Sequence, residues 1–75
     1  HDAPQQERNM QIIVNGNPTE IPDGTDMAGL IERLELTGQR LAVEINEELV
    51  PRSRFEERQL DPEDRIEIIH AVGGG

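Results

Sequence analysis

Residues 27–34 read MAGLIERL and carry the clearest helical periodicity in the chain. Its large apolar residues recur at intervals of three and four and share one face of an amphipathic helix: Met27, Leu30, Ile31 and Leu34. Either Thr25 or Asp26 supplies the side-chain oxygen that caps the first turn. The pattern predicts that the helix ends near Glu35, with Gly38 in the left-handed conformation that stops helices.

The segments before the helix predict a β-hairpin. Residues 10–15 (MQIIVN) have β-branched residues at their centre, which favours a strand. Asn15-Gly16 is a strong signal for a tight hairpin turn. Residues 19–21 (TEI) then form the short return strand, and residues 22–24 (PDG) break it before the helix begins.

The segments after the helix predict a strand pair and a final strand. Residues 41–45 (LAVEI) alternate between apolar and other residues, as a half-buried strand does. Residues 48–50 form a short strand that Pro51 ends. Residues 65–72 form the last strand, with Ile66 and Ile68 facing inward and Glu67 and Ile69 facing outward.

The order of these elements indicates an α+β fold. One main helix across one face of a mixed sheet of four to five strands buries both apolar surfaces at once. If the first and last strands pair at the centre, the arrangement is a β-grasp (ubiquitin-like) fold. We assign residues 10–72 to this domain and residues 73–75 to a flexible glycine tail. Residues 1–9 are polar and aperiodic, which is typical of a disordered leader or a remnant of an expression tag.

Composition excludes several classes of function. The chain has 75 residues, and its formal charge is 7 − 16 = −9, which argues against nucleic acid and anionic membranes as partners. It has no cysteine and only two histidines, so we expect no metal site. We expect a cytoplasmic protein, since no apolar run resembles a membrane span or a secretory signal. All basic residues are arginine, so no side-chain amine can attack an activated acyl group.

The three glycines at the end of the chain are the strongest functional signal. They directly follow the predicted last strand, where a tail without side chains could enter a narrow channel and bring the Gly75 carboxylate to the α-phosphate of ATP. Gly73 and Gly74 would allow that threading. The chain has no phosphate-binding loop, so another protein would have to hold the ATP. The alternative is that the glycines are an incidental frayed end.

A second candidate site lies on the predicted outer face of the sheet. Ile13, Ala42 and Ile69 fall on the face opposite the core, and Val72 continues toward the tail. These residues form either a docking patch for a partner or scattered exposed apolar residues of the ordinary kind. The sequence shows no nucleophile and no orienting acid that would form a catalytic triad with His70. We therefore expect no catalytic residues and no enzyme activity.

Several segments together resemble a known family. MQIIVNG, LIERL, LAVEIN, ELVPR and DRIEIIHAVGGG occur in this order between residues 10 and 75. In this combination the chain resembles the ThiS-type sulfur carrier proteins of thiamine biosynthesis, whose fold is the β-grasp.

The resemblance implies a carrier that binds no cofactor of its own. An E1-like adenylyltransferase of the ThiF type would use ATP to adenylate Gly75. A sulfur donor, such as a cysteine desulfurase persulfide, would convert the adenylate to a thiocarboxylate. A thiazole synthase of the ThiG type would then accept the sulfur. Gly74 has no side chain and would leave space around the reactive Gly75 carboxylate, and Gly73 would lengthen the tail.

Three other functions remain open at this stage. A molybdopterin-type sulfur carrier would share the tail chemistry and serve another acceptor enzyme. A ubiquitin-like modifier would end as an amide on target lysines. A binding-only β-grasp module would not use its glycines at all.

Overall fold

The protein is described by a computed structural model that covers residues 8–71. In these residues the elements follow in the order β1 (Asn9–Val14), β2 (Asn17–Pro22), α1 (Met27–Arg33), β3 (Leu41–Ile45), β4 (Glu48–Val50), a 3₁₀ turn (Arg52–Arg54) and β5 (Arg65–His70). The strand and helix types agree with those predicted from the sequence.

The strands form one mixed sheet in the order β2-β1-β5-β3-β4. β1 and β5 run parallel at its centre, and the other neighbours pair in antiparallel fashion. Helix α1 covers one face, because its buried residues belong to the same core as those of the strands. The predicted α+β class and β-grasp arrangement are therefore confirmed.

The core lies between α1 and the inner face of the sheet. Strand residues enter it in alternation, so Ile66 and Ile68 of β5 are buried while Glu67 and Ile69 are exposed, as predicted. The buried apolar residues are Met10, Ile12, Val14, Ile21, Met27, Leu30, Ile31, Val43, Ile45, Val50, Phe55, Leu60, Ile66 and Ile68.

The first turn of α1 is held by its cap and by the loop that follows β4. Asp26 is the capping residue, and its Oδ1 accepts a hydrogen bond from the Gly29 N–H at 2.7 Å. The Met27 N–H donates to the Arg58 carbonyl at 2.9 Å, and the Ala28 N–H donates to the Phe55 carbonyl at 3.1 Å. These bonds satisfy donors that a helix start leaves without internal partners.

The end of α1 differs from the prediction. Glu35, with φ 61°, occupies the left-handed position that was predicted for Gly38. The Glu35 N–H donates to the Glu32 carbonyl and the Leu36 N–H donates to the Ile31 carbonyl, which is the Schellman pattern. Gly38 also has a positive φ, of 86°, but it lies in the turn further along. These hydrogen bonds offset the steric cost of a positive φ at Glu35.

The first and last strands differ slightly from the predicted ones at their ends. β1 begins at Asn9, which pairs with Pro22, and the Arg8 carbonyl accepts a hydrogen bond from the Asp23 N–H at 2.8 Å. The leader assigned to residues 1–9 therefore overlaps the sheet at its last two residues, because main-chain pairing needs no apolar side chain. β5 ends at His70 rather than at residue 72.

Two tight hairpin turns share one geometry but use different residues. Asn15 and Gly16 join β1 to β2 with φ values of 50° and 83°. Asn46 and Glu47 join β3 to β4 with φ values of 54° and 71°. Two positive φ values are the mark of a type I′ turn, whose second position favours glycine. Glu47 therefore occupies a position that is unfavourable for a side chain.

Glu47→Gly should raise the free energy of unfolding by about 1 kcal/mol, because glycine adopts a positive φ without steric cost. Urea unfolding followed by circular dichroism measures the change. Glu48→Gly is the matched control: Glu48 is also exposed but lies in β4, where glycine weakens the strand. A Glu47→Gly protein that is no more stable than the original would contradict this account of the turn.

Candidate functional site

The end of β5 is the point from which the chain leaves the sheet toward its glycines. On one side β5 pairs with β3, and the Ala71 N–H still donates to the Arg40 carbonyl at 3.1 Å, one residue beyond the strand. On the other side β1 pairs directly with β5 only at Ile13 and Val14. The last residues of β5 therefore extend past the end of β1.

The side chain of Asn15 secures β5 beyond the last residue of β1. Its Oδ1 accepts a hydrogen bond from the Ile68 N–H at 2.8 Å, and its Nδ2 donates to the Ile68 carbonyl at 3.3 Å. Its main-chain N–H donates to the Ile66 carbonyl at 2.8 Å. One amide side chain thus replaces a further residue of β1. Sequence reasoning placed Asn15 at the end of the first strand and in its turn, and missed this role.

The structure brings together some of the predicted docking residues but not all of them. Ile69 pairs directly with Ala42 on the open face of the sheet, where Ile69 is 50% exposed and Ala42 is half-buried. Ile13 is also half-buried, but it pairs with Arg65, four residues before Ile69 on β5. Ile13 therefore lies at the other end of β5 from the tail.

Three more residues occupy the same face and were not singled out from the sequence. Glu44 pairs with Glu67 across β3 and β5, and Leu49 of β4 pairs with Glu44 on its other side. Leu49 is 67% exposed, the higher of the two exposed large apolar side chains in residues 8–71. Alternation predicted that Glu67 faces outward, but only strand pairing places it beside Glu44.

The described residues contain no arrangement typical of a catalytic centre. His70 is exposed at the end of β5, and no side chain among residues 8–71 hydrogen-bonds to its imidazole. A general base needs such an orienting partner. In the same part of the chain, no group of three His, Asp or Glu residues could hold a metal ion. No helix there is long and apolar enough to cross a membrane.

The remaining predicted site residues are Val72, Gly73, Gly74 and Gly75. They lie outside the described residues. What the structure does define is the strand end from which they continue and the face of the sheet beside it.

Comparison with known proteins decides the family. The model of the ThiS family matches residues 8–75, which includes the terminal glycines. This chain belongs to the ThiS family. The resemblance to ThiS-type sulfur carriers that was noted in the sequence is therefore confirmed.

Individual relatives agree with the family assignment. The crystal structure of the thiamine biosynthesis protein ThiS from Geobacter metallireducens superposes with a TM-score of 0.77 at 26% identity, covering 88% of this chain and 100% of that one. The uncharacterized protein ycf40 of Porphyra purpurea is 34% identical over 91% of this chain and 96% of its own length. A thiazole synthase of Magnetococcus marinus is 36% identical over 88% of this chain, but the match spans only 20% of that protein.

Asn15→Gly should lower the free energy of unfolding by about 1–2 kcal/mol, because glycine keeps the turn but removes both side-chain bonds to Ile68. Amide hydrogen exchange at Ile68 should accelerate. Asn46→Gly is the matched control, since Asn46 holds the same turn position but bonds instead to Asp64 and Arg65. Unchanged exchange at Ile68 in the Asn15→Gly protein would show that the amide does not secure the strand.

Ile69→Glu should change the free energy of unfolding by less than about 1 kcal/mol, because the side chain lies on the open face. Ile68→Glu is the control, because Ile68 is only 6% exposed and a carboxylate there would be buried in the core. Urea unfolding of the two variants separates these effects. Loss of the folded state in Ile69→Glu would place that residue in the core.

Proposed function

We propose that this chain carries sulfur for thiazole formation in thiamine biosynthesis, as a thiocarboxylate on Gly75. The main support is the match of the ThiS family model through the terminal glycines. The fold is compatible with this function, because β5, the strand that precedes the glycines in sequence, ends at His70. The chain acts as a protein substrate of other enzymes and not as an enzyme.

The chemistry begins with an E1-like adenylyltransferase of the ThiF type. An oxygen of the Gly75 carboxylate attacks the α-phosphorus of ATP, and pyrophosphate leaves. The partner holds the ATP, since this chain has no phosphate-binding loop. Glycines suit this step because they let the carboxylate pass through a channel too narrow for side chains.

Sulfur enters in the next step. A persulfide of the donor, such as a cysteine desulfurase, attacks the Gly75 carbonyl, and AMP leaves. A further thiol then cleaves the S–S bond, forming a disulfide and releasing the terminal thiocarboxylate. The acyl group is safe from the carrier's own side chains, because the sequence contains no lysine. This ATP-dependent sequence of steps fits a protein that works in the cytoplasm.

The acceptor is a thiazole synthase of the ThiG type. Two relatives named thiazole synthase, from Magnetococcus marinus and Paramagnetospirillum magneticum, each match 88% of this chain over 20% of their own length. A module of this kind within those proteins supports a direct contact between carrier and synthase. We assign the docking to Ile69 and Ala42, with Val72 toward the tail and Ile13 at the far end of the face.

Removal of Gly75 should abolish adenylation while leaving the fold intact. Each residue of extended chain spans about 3.3–3.6 Å, so the shortened tail would not bring its carboxylate to the α-phosphate. The measurement is the intact mass after co-expression with the E1-like enzyme and a sulfur source. The full chain should gain the mass that replaces one oxygen by one sulfur, mapped to Gly75. Glu20→Gln is the control, because Glu20 is exposed in β2 and the substitution leaves the tail unchanged.

Three outcomes would contradict the proposal. A chain without Gly75 that still forms the acyl-adenylate would show that its terminal position is not required. An unchanged mass of the full chain, where a known carrier is converted, would favour a modifier or a binding module. Isopeptide adducts on other proteins would identify a ubiquitin-like modifier.

A further inference from the structure

Two carboxylates face each other across the open face of the sheet. Glu44 of β3 and Glu67 of β5 are direct cross-strand partners. Directly opposed residues in antiparallel strands have Cα atoms about 5 Å apart. Like charges in this position destabilise a sheet, so the pair opposes the stability of the free protein.

No cation of the described chain neutralises this pair. Within residues 8–71, the one salt bridge within 4.0 Å joins Arg58 to Asp64 and involves neither Glu44 nor Glu67. The nearest arginine in the pairing pattern is Arg65, two residues before Glu67, and it forms no salt bridge within that distance to another residue of the described range. The net charge of −9 raises the cost further, because the surrounding field is also negative.

Apolar side chains border the carboxylates on two sides. Ile69 and Ala42 lie on the side toward the tail, and Leu49 lies beside Glu44 on β4. Ile69 and Leu49 are the exposed large apolar residues of the described chain. A polar centre with apolar neighbours, joined to the strand that leads into the tail, is suited to binding a protein surface.

We propose that this face docks on the thiazole synthase through an arginine of the synthase that lies between Glu44 and Glu67, with apolar synthase residues on Ile69 and Leu49. The inference rests on the function proposed above. A guanidinium is planar and donates several hydrogen bonds, so it can bridge two carboxylates and relieve their repulsion. The acidic carrier would also be steered toward a basic surface, which raises the rate of encounter.

A bound metal ion explains the Glu44–Glu67 pair less well than an arginine does. Calcium takes six to eight oxygen ligands, and the described residues offer no group of three acidic or histidine side chains that could hold an ion. An arginine needs only the two carboxylates that are present. Its long side chain also brings apolar neighbours from the same partner surface within reach of Ile69 and Leu49.

The test compares Glu44→Gln, Glu67→Gln and the double variant in the full chain. Titration calorimetry measures the Kd for the thiazole synthase encoded in the same genome, at low and high salt. Each single variant should bind about fivefold to tenfold more weakly, and the double variant should lose most of the salt dependence. Glu32→Gln is the matched control, because it removes the same charge from exposed helix surface and should leave the Kd unchanged.

Measuring the stability of the variants distinguishes a loss of docking from a loss of folding. The glutamine variants should be at least as stable to urea as the unmodified chain, because repulsion between the strands has been removed. Weaker binding together with equal or greater stability supports the proposal. Equal binding by the double variant, an equal loss in Glu32→Gln, or no binding by the unmodified chain would overturn it.

The two proposals fail in different ways. A chain that gains no sulfur at Gly75, but whose glutamine variants still bind the synthase more weakly, would overturn the carrier function and leave the docking surface standing. A chain that gains sulfur normally, but whose glutamine variants bind as tightly as the original, would overturn only the docking surface.

Discussion

β1 and β5 pair directly over only two positions. This contact nevertheless makes the five strands one continuous sheet, because it joins the first strand of the fold to the last. Parallel neighbours need a crossover connection, and here all the other elements lie between them in sequence. The pairing therefore joins two strands that are far apart in sequence. Asn15 adds two side-chain hydrogen bonds to this short contact and so holds the strand that leads to the tail.

The two faces of the sheet have different roles: the inner face stabilises the fold, and the outer face is available to a partner. The inner face and α1 share an aliphatic core whose residues are almost all removed from water, and this burial supplies most of the driving force for folding. The outer face contributes little burial, so its residues are free to serve a partner. This division explains how the chain tolerates Glu44 opposite Glu67 and how it leaves Ile69 and Leu49 exposed.

The proposed carrier function requires a rigid body and an accessible carboxyl terminus more than it requires a pocket. Membership of the ThiS family connects that design with thiamine biosynthesis. In the proposed function, partners recognise the negative charge and the open face, while the reaction takes place at Gly75. The absence of lysine from the sequence fits an acyl group that must survive transfer between enzymes.

The sequence by itself determined the elements, the helix face and the first hairpin turn, because periodicity and turn residues are local signals. The role of the glycine tail stays a prediction. The sequence pattern assigned the left-handed residue that stops α1 to Gly38, whereas Glu35 holds that position and Gly38 lies in the following turn, since hydrogen bonds outweighed intrinsic preference. Only the tertiary structure decided that Asn15 bonds to Ile68, that Ile13 lies away from Ile69, and that Glu44 opposes Glu67. These facts depend on the register between strands distant in sequence, which no local pattern encodes.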